Sequence, residues 1–493
     1  MPTPRRRLRT TSTQDALRAG FVAIRTELAV PVDFTSATLA EADAAAAMAW
    51  ATGAATADRV DLTAVPFVTL DPVGSTDLDQ AMHLSRAGAG YVVRYAIADT
   101  AVFVRPGGSI DRSAHARVET IYCPDLRVPL HPRSVSEGAA SLLPGVVRPA
   151  VVWTMSLGAD GEVGDVAVER AVVRSTAQLD YPSQQARLDA GADHDDVVTL
   201  LAEIGTLRAR LEQERGGVSL ARPEQEVVEL DGGGWGLAFR APLAVEDHNA
   251  QVSLMTGMAA AQLMLAAGVG VLRTMPVADA RDLARLRRQA AALHVPWPEG
   301  ATYGDVLRAV DHARPETAAF LAAATTLFRG AAWTPFDGAP PAQTVHGALA
   351  APYAHVTAPL RRLVDRYGLE ICLASHAGTE VPAWVRDALP TIGDVMEGGA
   401  RRAAAVDRAC TDLVEATVLA PYVGRVFDGV VLDDRTVQLE DLAVVARLDR
   451  DGLPEGERVS VRLTQADPTT RAVRFARHDP QDAAVGVQTR HAP

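Results

Sequence analysis

The chain has 493 residues and a formal net charge of −13 at pH 7, and this length allows two to four domains with sizeable cores. Its 48% hydrophobic and 22% charged residues are typical of a folded chain and exclude a disordered one. The acidic balance argues against a protein that coats nucleic acid, although binding in an internal channel depends on local charge instead.

Residue types exclude further classes of protein. The three cysteines are scattered and form neither a zinc knuckle nor a disulfide framework, so we expect a reducing, cytoplasmic location. No apolar run approaches the ~18 residues of a membrane span, and we expect no membrane partner. The chain has no lysine, which excludes a Schiff-base lysine and a Walker-type phosphate loop. Arginine is therefore the only fixed side-chain cation, and its planar fork can bind phosphate through two hydrogen bonds.

Residues 1–62 are predicted to form a small helical module. The basic stretch 1–11 leads into no apolar signal core and is predicted to be a mobile tail, with an arm that contacts nucleic acid as the alternative. Apolar residues at helical spacing predict a helix over 12–28. Thr38 and Glu41 resemble a capping box that opens a second helix. The favoured interpretation is a packing cap on the main domain, and a helix-turn-helix-like module is the alternative.

The segment 71–80, which reads D-P-V-G-S-T-D-L-D-Q, contains three carboxylates directly after a predicted strand. In extended backbone Asp77 and Asp79 point the same way, and Asp71 can face them across a turn rich in proline and glycine. Carboxylate oxygens suit magnesium, and two metals that clamp a phosphodiester lie about 3.5–4 Å apart, which requires converging acids. The segment therefore predicts a site for magnesium and phosphate. A solvated acidic turn is the alternative that this segment alone leaves open.

Residues 63–420 are predicted to form a mixed α+β domain. Its predicted strands include 91–98, 151–157 and 166–173, and its predicted helices are 195–214, 247–267, 277–293, 360–375 and 392–419. Five short strands follow at 423–431, 437–442, 444–448, 459–466 and 471–477. Five strands within about 55 residues are typical of an OB-type barrel, a common binder of single-stranded nucleic acid. We therefore predict an OB fold for 421–479 and a disordered tail for 480–493.

A second polar segment, 346–367, reads H-G-A-L-A-A-P-Y-A-H-V-T-A-P-L-R-R-L-V-D-R-Y. Pro359 is predicted in the first turn of a helix, which puts Arg361 and Arg362 near the positive end of the helix dipole. Backbone amides, dipole and guanidinium groups together favour an anion. A surface arginine pair is the alternative, and the upstream acids favour a phosphate site.

These two segments together resemble the ribonuclease II family, also called RNB, of processive 3′-to-5′ exoribonucleases. The acidic motif of the family, a strand followed by D-x5-D-x-D-D, corresponds to Asp71, Asp77, Asp79 and Gln80. Its H-F-G-L and Y-x-H-x-T-S-P-I-R-R-y-x-D motifs correspond to segment 346–365. Further matching segments follow the acidic motif in the expected order, at 95–99, 109–111, 120–122 and 128–133. The resemblance spans roughly residues 65–480.

The resemblance implies an RNB-type catalytic domain with a mixed sheet surrounded by helices, and it implies roles for individual residues. Asp71, Asp77, Asp79 and Arg361 are the implied catalytic residues, with Arg361 on the scissile phosphate. Magnesium, with manganese as a substitute, is implied at Asp71, Asp77, Asp79 and Gln80. The implied RNA-binding residues are Tyr122, which stacks near the terminal nucleotide and influences the final product size, Tyr181 near the ribose, Asp407 near the phosphate, Arg362 and His355. The implied partner is single-stranded RNA, and the products are nucleoside 5′-monophosphates.

The chain departs from the family pattern in four places. Gln80 replaces the fourth acid and offers a carbonyl oxygen without charge, which predicts weaker metal binding. Two cold-shock barrels usually precede the catalytic domain, whereas the 62 residues here are predicted to be helical, so RNA capture must differ. Structured RNA bound through this module is an additional expectation, as is a monomer. Ala358 replaces a serine, and segment 245–249 follows the E-E-x-M motif only in part and receives no catalytic role.

Three functions compete on this basis. The favoured one is a magnesium-dependent 3′-to-5′ exoribonuclease. The first alternative is an RNA-binding protein whose catalysis is weakened or lost through Gln80, and it predicts that Gln80→Asp raises activity sharply. The second alternative is a magnesium phosphohydrolase of small nucleotides, against which the OB-like barrel argues because a small substrate needs no strand-tracking domain.

Overall fold

The computed structural model describes residues 14–51, 53, 56–219, 224–230, 234–311, 314–449 and 453–478. Both predicted tails, 1–11 and 480–493, lie outside the described residues. The helices are α1 Gln14–Glu27, α2 Ser36–Ala51, α3 Ser109–Arg117, α4 Tyr181–Asp189, α5 Val197–Glu214, α6 Ala244–Ala267, α7 Ala280–Ala292, α8 Tyr303–Ala309, α9 Pro315–Ala324, α10 Leu363–Ala377 and α11 Ala383–Leu419.

The strands fall into one large sheet, one barrel and several two-stranded pairs. They are β1 Val60–Asp61, β2 Phe67–Asp71, β3 Gln80–Ala87, β4 Gly90–Ala98, β5 Ile121–Tyr122, β6 Arg127–Val128, β7 Val147–Leu157, β8 Val163–Asp180, β9 Glu224–Glu229, β10 Trp235–Arg240, β11 Val269–Thr274, β12 Ala332–Asp337, β13 Val345–His346, β14 Ala351–Pro352, β15 Val426–Asp433, β16 Thr436–Leu439, β17 Val445–Leu448, β18 Arg458–Asp467 and β19 Ala472–Arg477.

The large sheet is mixed and has the strand order β1-β8-β2-β3-β4-β7. The long strand β8 pairs with β7 in its first part and runs parallel to β2 in its last part, where Asp180 lies opposite Asp71. Five strands are thereby joined by successive pairings into a ring. The largest buried side chains of the ring include Trp153 and Tyr95, which are both fully covered. Residues of α5, α6 and α10 pack in the same core, which confirms the predicted mixed sheet surrounded by helices.

Helix α6 is long and apolar enough to cross a membrane by length and composition, although no such segment was expected from the sequence. Its side chains explain this composition, because Val252, Met255 and Met264 are buried in the core of the α+β domain. Ser375 of α10 and Cys372 also contact its backbone. A core helix of a folded domain meets the same test of length and hydropathy.

The N-terminal helices pack on the domain, as the favoured interpretation requires. Phe21 of α1 is fully buried in a cluster with residues of α11, and Arg25 donates to both carboxylate oxygens of Asp125 at 2.5 and 2.9 Å. The predicted capping box is wrong. Thr38 lies inside α2, and its N–H donates to the Thr35 hydroxyl oxygen at 3.2 Å. Glu41 instead accepts the Ser109 N–H at 2.6 Å and so caps α3, because the two helices pack together.

The C-terminal strands close into a five-stranded barrel in the order β15-β16-β17-β19-β18, which confirms the predicted OB-type fold. Phe475 and Val461 fill its core. The 37-residue helix α11 leads into the barrel and begins at Ala383, nine residues before the predicted start at 392. The helix was predicted to begin too late because a proline such as Pro390 usually interrupts a helix. In the structure, α11 continues through Pro390.

Candidate active site

The sheet brings the predicted acids together at one end of two neighbouring strands. Asp71 is the last residue of β2, and Asp79 directly precedes β3, so the loop between these paired strands carries Asp77. Asp79 is buried, with 4% of its surface exposed. The loop is fixed from below, because the Ser141 hydroxyl accepts the Leu78 N–H at 2.9 Å and donates to the Thr76 carbonyl at 2.8 Å. We call Asp71, Asp77 and Asp79 the acid pocket.

The carboxylates of the acid pocket influence one another. Burial raises the pKa of Asp71 to about 7, Arg361 opposes this rise, and the charge of Asp77 adds to it. Burial likewise raises the pKa of Asp79 to about 7, against Arg361 and the Leu360 amide. Burial also raises the pKa of Asp77, against Arg127. Carboxyl groups with raised pKa values in one pocket are typical of functional sites.

Hydrogen bonds leave the acid pocket incompletely satisfied. Asp79 accepts the Leu360 N–H at 2.7 Å and the Arg361 Nε–H at 3.2 Å, and Asp77 is paired with Arg127. By contrast, Asp71 Oδ2 is buried and has no hydrogen-bond partner among the residues that the structure describes. A buried carboxylate oxygen without a partner is costly, so it marks a position where a cation would be favourable.

The two arginines of the second motif have different environments. Arg362 is held by Asp365, which accepts from Nε at 2.9 Å and from Nη2 at 2.8 Å and is itself fully buried. The Arg361 side chain is 42% exposed, and only its Nε is used, on Asp79. Within the described residues, its two terminal nitrogens make no hydrogen bond, so they are available to a phosphate.

A tight turn, rather than a helix, presents Arg361. The N–H groups of Arg361 and Arg362 donate to the Ala358 carbonyl at 3.2 and 2.8 Å, and α10 begins only at Leu363. The prediction that Pro359 lies in the first helical turn is therefore wrong. The turn closes because buried Asp365 accepts the Ala358 N–H at 2.6 Å and so competes with helical hydrogen bonding.

Backbone hydrogen bonds from a strained segment, 118–120, also hold this turn. The Thr120 N–H donates to the Arg361 carbonyl at 2.9 Å, and the Leu363 N–H donates to the Val118 carbonyl at 2.9 Å. Val118 has a φ of 72°, a conformation that costs a β-branched residue about 1–3 kcal/mol. Gly399 of α11 allows this close approach, since a Cβ there would lie 2.4 Å from the Val118 Cβ. The surrounding fold therefore holds the backbone of Arg361 in one position.

Tyr122 lies at the open side of the acid pocket. It belongs to β5, opposite Arg127 of β6, and 57% of its surface is exposed. Loss of water contact and then the negative charge of Asp77 raise the pKa of its hydroxyl to about 12, against Arg361. An exposed ring beside acids and a guanidinium is suited to stack on a base.

Tyr181 lies beside Asp71, at the start of α4. Its hydroxyl accepts the Asn249 Nδ2–H at 3.0 Å, and burial raises its pKa, with Asp71 adding to the rise. Asn249 belongs to segment 245–249, which received no catalytic role from the sequence. Its Oδ1 is buried and finds no partner within the described ranges, so the structure adds Asn249 to the candidate site. The partial E-E-x-M motif was the only signal that could have identified it.

In the described part of the chain, the predicted residues His355 and Asp407 make no hydrogen bond with the acid pocket. His355 Nδ1 accepts the Trp333 Nε1–H at 3.3 Å, and burial, followed by Arg362 and Arg273, lowers its pKa well below the usual range. It is therefore a neutral aromatic partner of Trp333. Asp407 is an exposed residue of α11, and partial loss of water around its carboxyl group raises its pKa, against the charge of Arg408. In the described part of the chain, Asp407 has no hydrogen bond or ion pair with the acid pocket.

Both ends of the Gln80 amide make a hydrogen bond with the protein. Its Nε2 donates to the Thr357 carbonyl at 2.6 Å, and its Oε1 accepts the Tyr95 hydroxyl at 2.8 Å. The carbonyl oxygen that the sequence assigned to a metal thus already binds Tyr95.

The acid pocket suits a divalent cation in chemistry but is not arranged as a finished metal site. Among the described residues, no group of three acid, histidine or cysteine side chains is close enough to hold an ion as it stands. Arg127 and Arg361 supply positive charge to Asp77 and Asp79, while Asp71 Oδ2 has no partner in the described part of the chain. Asp71, Asp77 and Asp79 are the residues that could hold magnesium.

Fold and site together define a class of protein: an α+β domain with a carboxylate–guanidinium pocket suited to a phosphodiester, joined to an OB-type barrel. The RNB domain matches residues 59–371, and the RNase II-type exonuclease C-terminal S1 domain matches residues 425–478. The chain belongs to the RNB family.

Individual relatives agree with this assignment. The chain is 27% identical to Ribonuclease R of Escherichia coli (strain K12) over 442 residues, which cover 80% of this chain and 52% of that protein. The chain thus spans about half the length of this relative. Mycoplasma genitalium RNase R in complex with ribose methylated single-stranded RNA superposes with a TM-score of 0.83 and 18% identity, over 94% of this chain and 78% of that one. Yeast Ssd1, a pseudonuclease, shares the fold with a TM-score of 0.66 and 16% identity, over 84% of this chain and 52% of that one.

Proposed function

We propose that the protein is a magnesium-dependent 3′-to-5′ exoribonuclease that degrades single-stranded RNA processively to nucleoside 5′-monophosphates. The observation that carries the proposal is the acid pocket itself, with three aspartates, an unpartnered Asp71 Oδ2 and the free fork of Arg361. Family membership and the names of the relatives agree with it. The fold alone would not suffice, because a pseudonuclease shares it.

The aspartates, the arginine and the tyrosine of the site have different roles in this reaction. Asp71, Asp77 and Asp79 would bind magnesium, which supplies a nucleophilic water and neutralises phosphate charge when bound. Arg361, anchored through Nε on Asp79, directs its terminal nitrogens to the phosphate and stabilises negative charge there. Tyr122 stacks on the terminal base and fixes how far the strand can advance.

The direct test is degradation of a 5′-labelled single-stranded RNA over a range of magnesium and manganese concentrations, with EDTA as control. We expect shortening from the 3′ end to a short limit product, with few intermediates if the reaction is processive. Intact RNA at every metal concentration, together with tight RNA binding, would support the RNA-binding alternative. Faster turnover of a dinucleotide than of a long RNA would support a small-nucleotide phosphohydrolase.

The pH dependence of stability tests the acid pocket without turnover. Because the pKa values of Asp71 and Asp79 are raised to about 7 from the usual ~4, these groups keep protons in the folded state that the unfolded state has lost. The contribution of these two carboxyl groups to the stability of the metal-free protein should therefore fall as pH rises from about 4 to about 7, and then level off. Magnesium, which needs ionised carboxylates, should restore stability most strongly above pH 7.

The measurement is a thermal melt at each pH in EDTA and in magnesium, compared with Asp79→Asn. In EDTA, the stability of wild type relative to the variant should fall between pH 4 and 7. Magnesium should stabilise the variant less than wild type. If the stability of wild type relative to Asp79→Asn instead rises with pH over this range in EDTA, the raised pKa values are wrong.

Replacing Tyr122 by alanine should change the limit product more than the rate. Stacking on an aromatic ring contributes about 1–3 kcal/mol per base, so its loss lets the terminal nucleotide slip and ends degradation at a different length. Gel sizing of the limit product from 5′-labelled RNA checks this. Tyr122→Phe, which keeps the ring, is the control, and an unchanged limit product in Tyr122→Ala would rule out the role.

A further inference from the structure

The side chain at the fourth position of the acidic motif lies in a partly buried polar network. Gln80 is the first residue of β3, and its amide bridges two elements. Since the Thr357 carbonyl can only accept, the nitrogen of the Gln80 amide must face it, at 2.6 Å. The oxygen then accepts the Tyr95 hydroxyl at 2.8 Å. Having donated its one proton, that hydroxyl must accept from Ser253 of α6, at 2.8 Å.

Strand geometry separates Gln80 from Asp79. Neighbouring residues of a strand point to opposite faces, and the Ala98 N–H donates to the Asp79 carbonyl at 2.9 Å, so the pairing of β3 with β4 includes Asp79. The two faces border different cores: Met82 and Tyr95 belong to one, Ala81 and Leu360 to the other. Gln80 therefore lies on the Tyr95 side, and Asp79 on the Leu360 side.

Gln80 and Asp79 both form hydrogen bonds with the turn that carries Arg361. Asp79 holds its far end through the Leu360 N–H and the Arg361 Nε–H, and Gln80 holds its near end through the Thr357 carbonyl. Adjacent residues of one strand thus bind the turn at positions 357 and 360–361. This double attachment fixes Arg361 relative to Asp71 and Asp77.

A carboxylate at position 80 could not make these contacts. Glutamate would place an oxygen against the Thr357 carbonyl, where two acceptors repel. Aspartate is shorter by one methylene and cannot reach both Thr357 and Tyr95. The neutral amide is the group that satisfies one buried acceptor and one buried donor together.

We propose that Gln80 is a positioning residue, which locks the Arg361 turn onto the acid strand, rather than a weakened metal ligand. The inference rests on the proposed function for its catalytic consequence, though not for its structural one. It reverses the expectation that Gln80→Asp raises activity.

The test compares Gln80→Asp, Gln80→Glu and Tyr95→Phe with wild type. Each variant removes part of the network, so kcat on single-stranded RNA should fall about 10- to 100-fold, as expected when a catalytic group is misplaced. The magnesium concentration for half-maximal rate and the affinity for RNA in EDTA should stay within about twofold of wild type. Hydrogen exchange of a peptide covering 356–363, followed by mass spectrometry, should be faster in all three.

Gln343→Glu is the matched control, because Gln343 Nε2 also donates to backbone carbonyls, of Met275 at 3.1 Å and Val345 at 2.7 Å. It should lower stability while leaving kcat and exchange at 356–363 unchanged. Higher activity of Gln80→Asp with a lower magnesium requirement would overturn the proposal, as would unchanged exchange in all three network variants. If wild type degrades no RNA but exchange still increases in the variants, the proposed function fails and the positioning role stands.

Discussion

Asn in place of Asp79 is expected to slow RNA cleavage about 10²- to 10³-fold, the range seen when one preorganised charge-stabilising group is removed. The variant retains an oxygen for the Leu360 N–H, but its amide nitrogen would face the Arg361 Nε–H, donor against donor. It therefore removes a metal-binding charge and also the anchor of the phosphate-binding arginine. Single-turnover cleavage at saturating protein and magnesium measures this loss.

Folding and RNA binding of Asp79→Asn should remain intact. Asp79 is buried with a raised pKa, so a neutral side chain relieves an unfavourable charge and the metal-free melting temperature should not fall. RNA affinity in EDTA should match wild type. Asp195→Asn, at a surface carboxylate paired with Arg86, is the control and should keep full activity. Cleavage by Asp79→Asn within a few-fold of wild type would remove Asp79 from the site.

Arg361→Lys should reduce kcat about 10³-fold, since an arginine on a transferred or cleaved phosphate contributes at least this much in related phosphate chemistry. Lysine keeps the charge but lacks the Nε–H that binds Asp79 at 3.2 Å and the two terminal nitrogens that bind phosphate as a fork. The loss should fall on kcat more than on RNA affinity, because the interaction strengthens as charge develops on the phosphate.

The control for Arg361→Lys is Arg210→Lys, at an exposed arginine of α5 that is paired with Glu214. That substitution preserves charge at the surface and should leave both kcat and RNA affinity unchanged. An Arg361→Lys variant with wild-type kcat but weakened RNA binding would assign Arg361 to strand binding instead of catalysis.

The proximity of Asp71, Asp77, Asp79 and Arg361 could be predicted because these residues lie in short, ordered segments. The order strand, turn and alternating acids indicated the acid pocket, and the second motif indicated Arg361. The mixed sheet was implied by the family resemblance, and the five-stranded barrel followed from strand spacing. These signals are local in the chain, and the structure confirms the folds that they predict.

Contacts between distant segments could not be predicted. The pairing of Arg127 with Asp77 spans 50 positions, and that of Glu41 with the amide of Ser109 spans 68. The capping box failed for this reason, because a tertiary partner outweighed the local one. Gln80 is the same case, since only its distance to Thr357, 277 positions away, shows what its amide does.

We propose that Asp71, Asp77, Asp79 and Arg361 together hydrolyse the last phosphodiester of a single-stranded RNA. The most direct measurement is the identity of the first product released from RNA that carries ³²P only in its 3′-terminal phosphodiester. If these residues act as proposed, a labelled nucleoside 5′-monophosphate is released in magnesium and none in EDTA. Label that stays on the RNA, or leaves as inorganic phosphate, as a 3′-monophosphate or in an oligonucleotide, would contradict it.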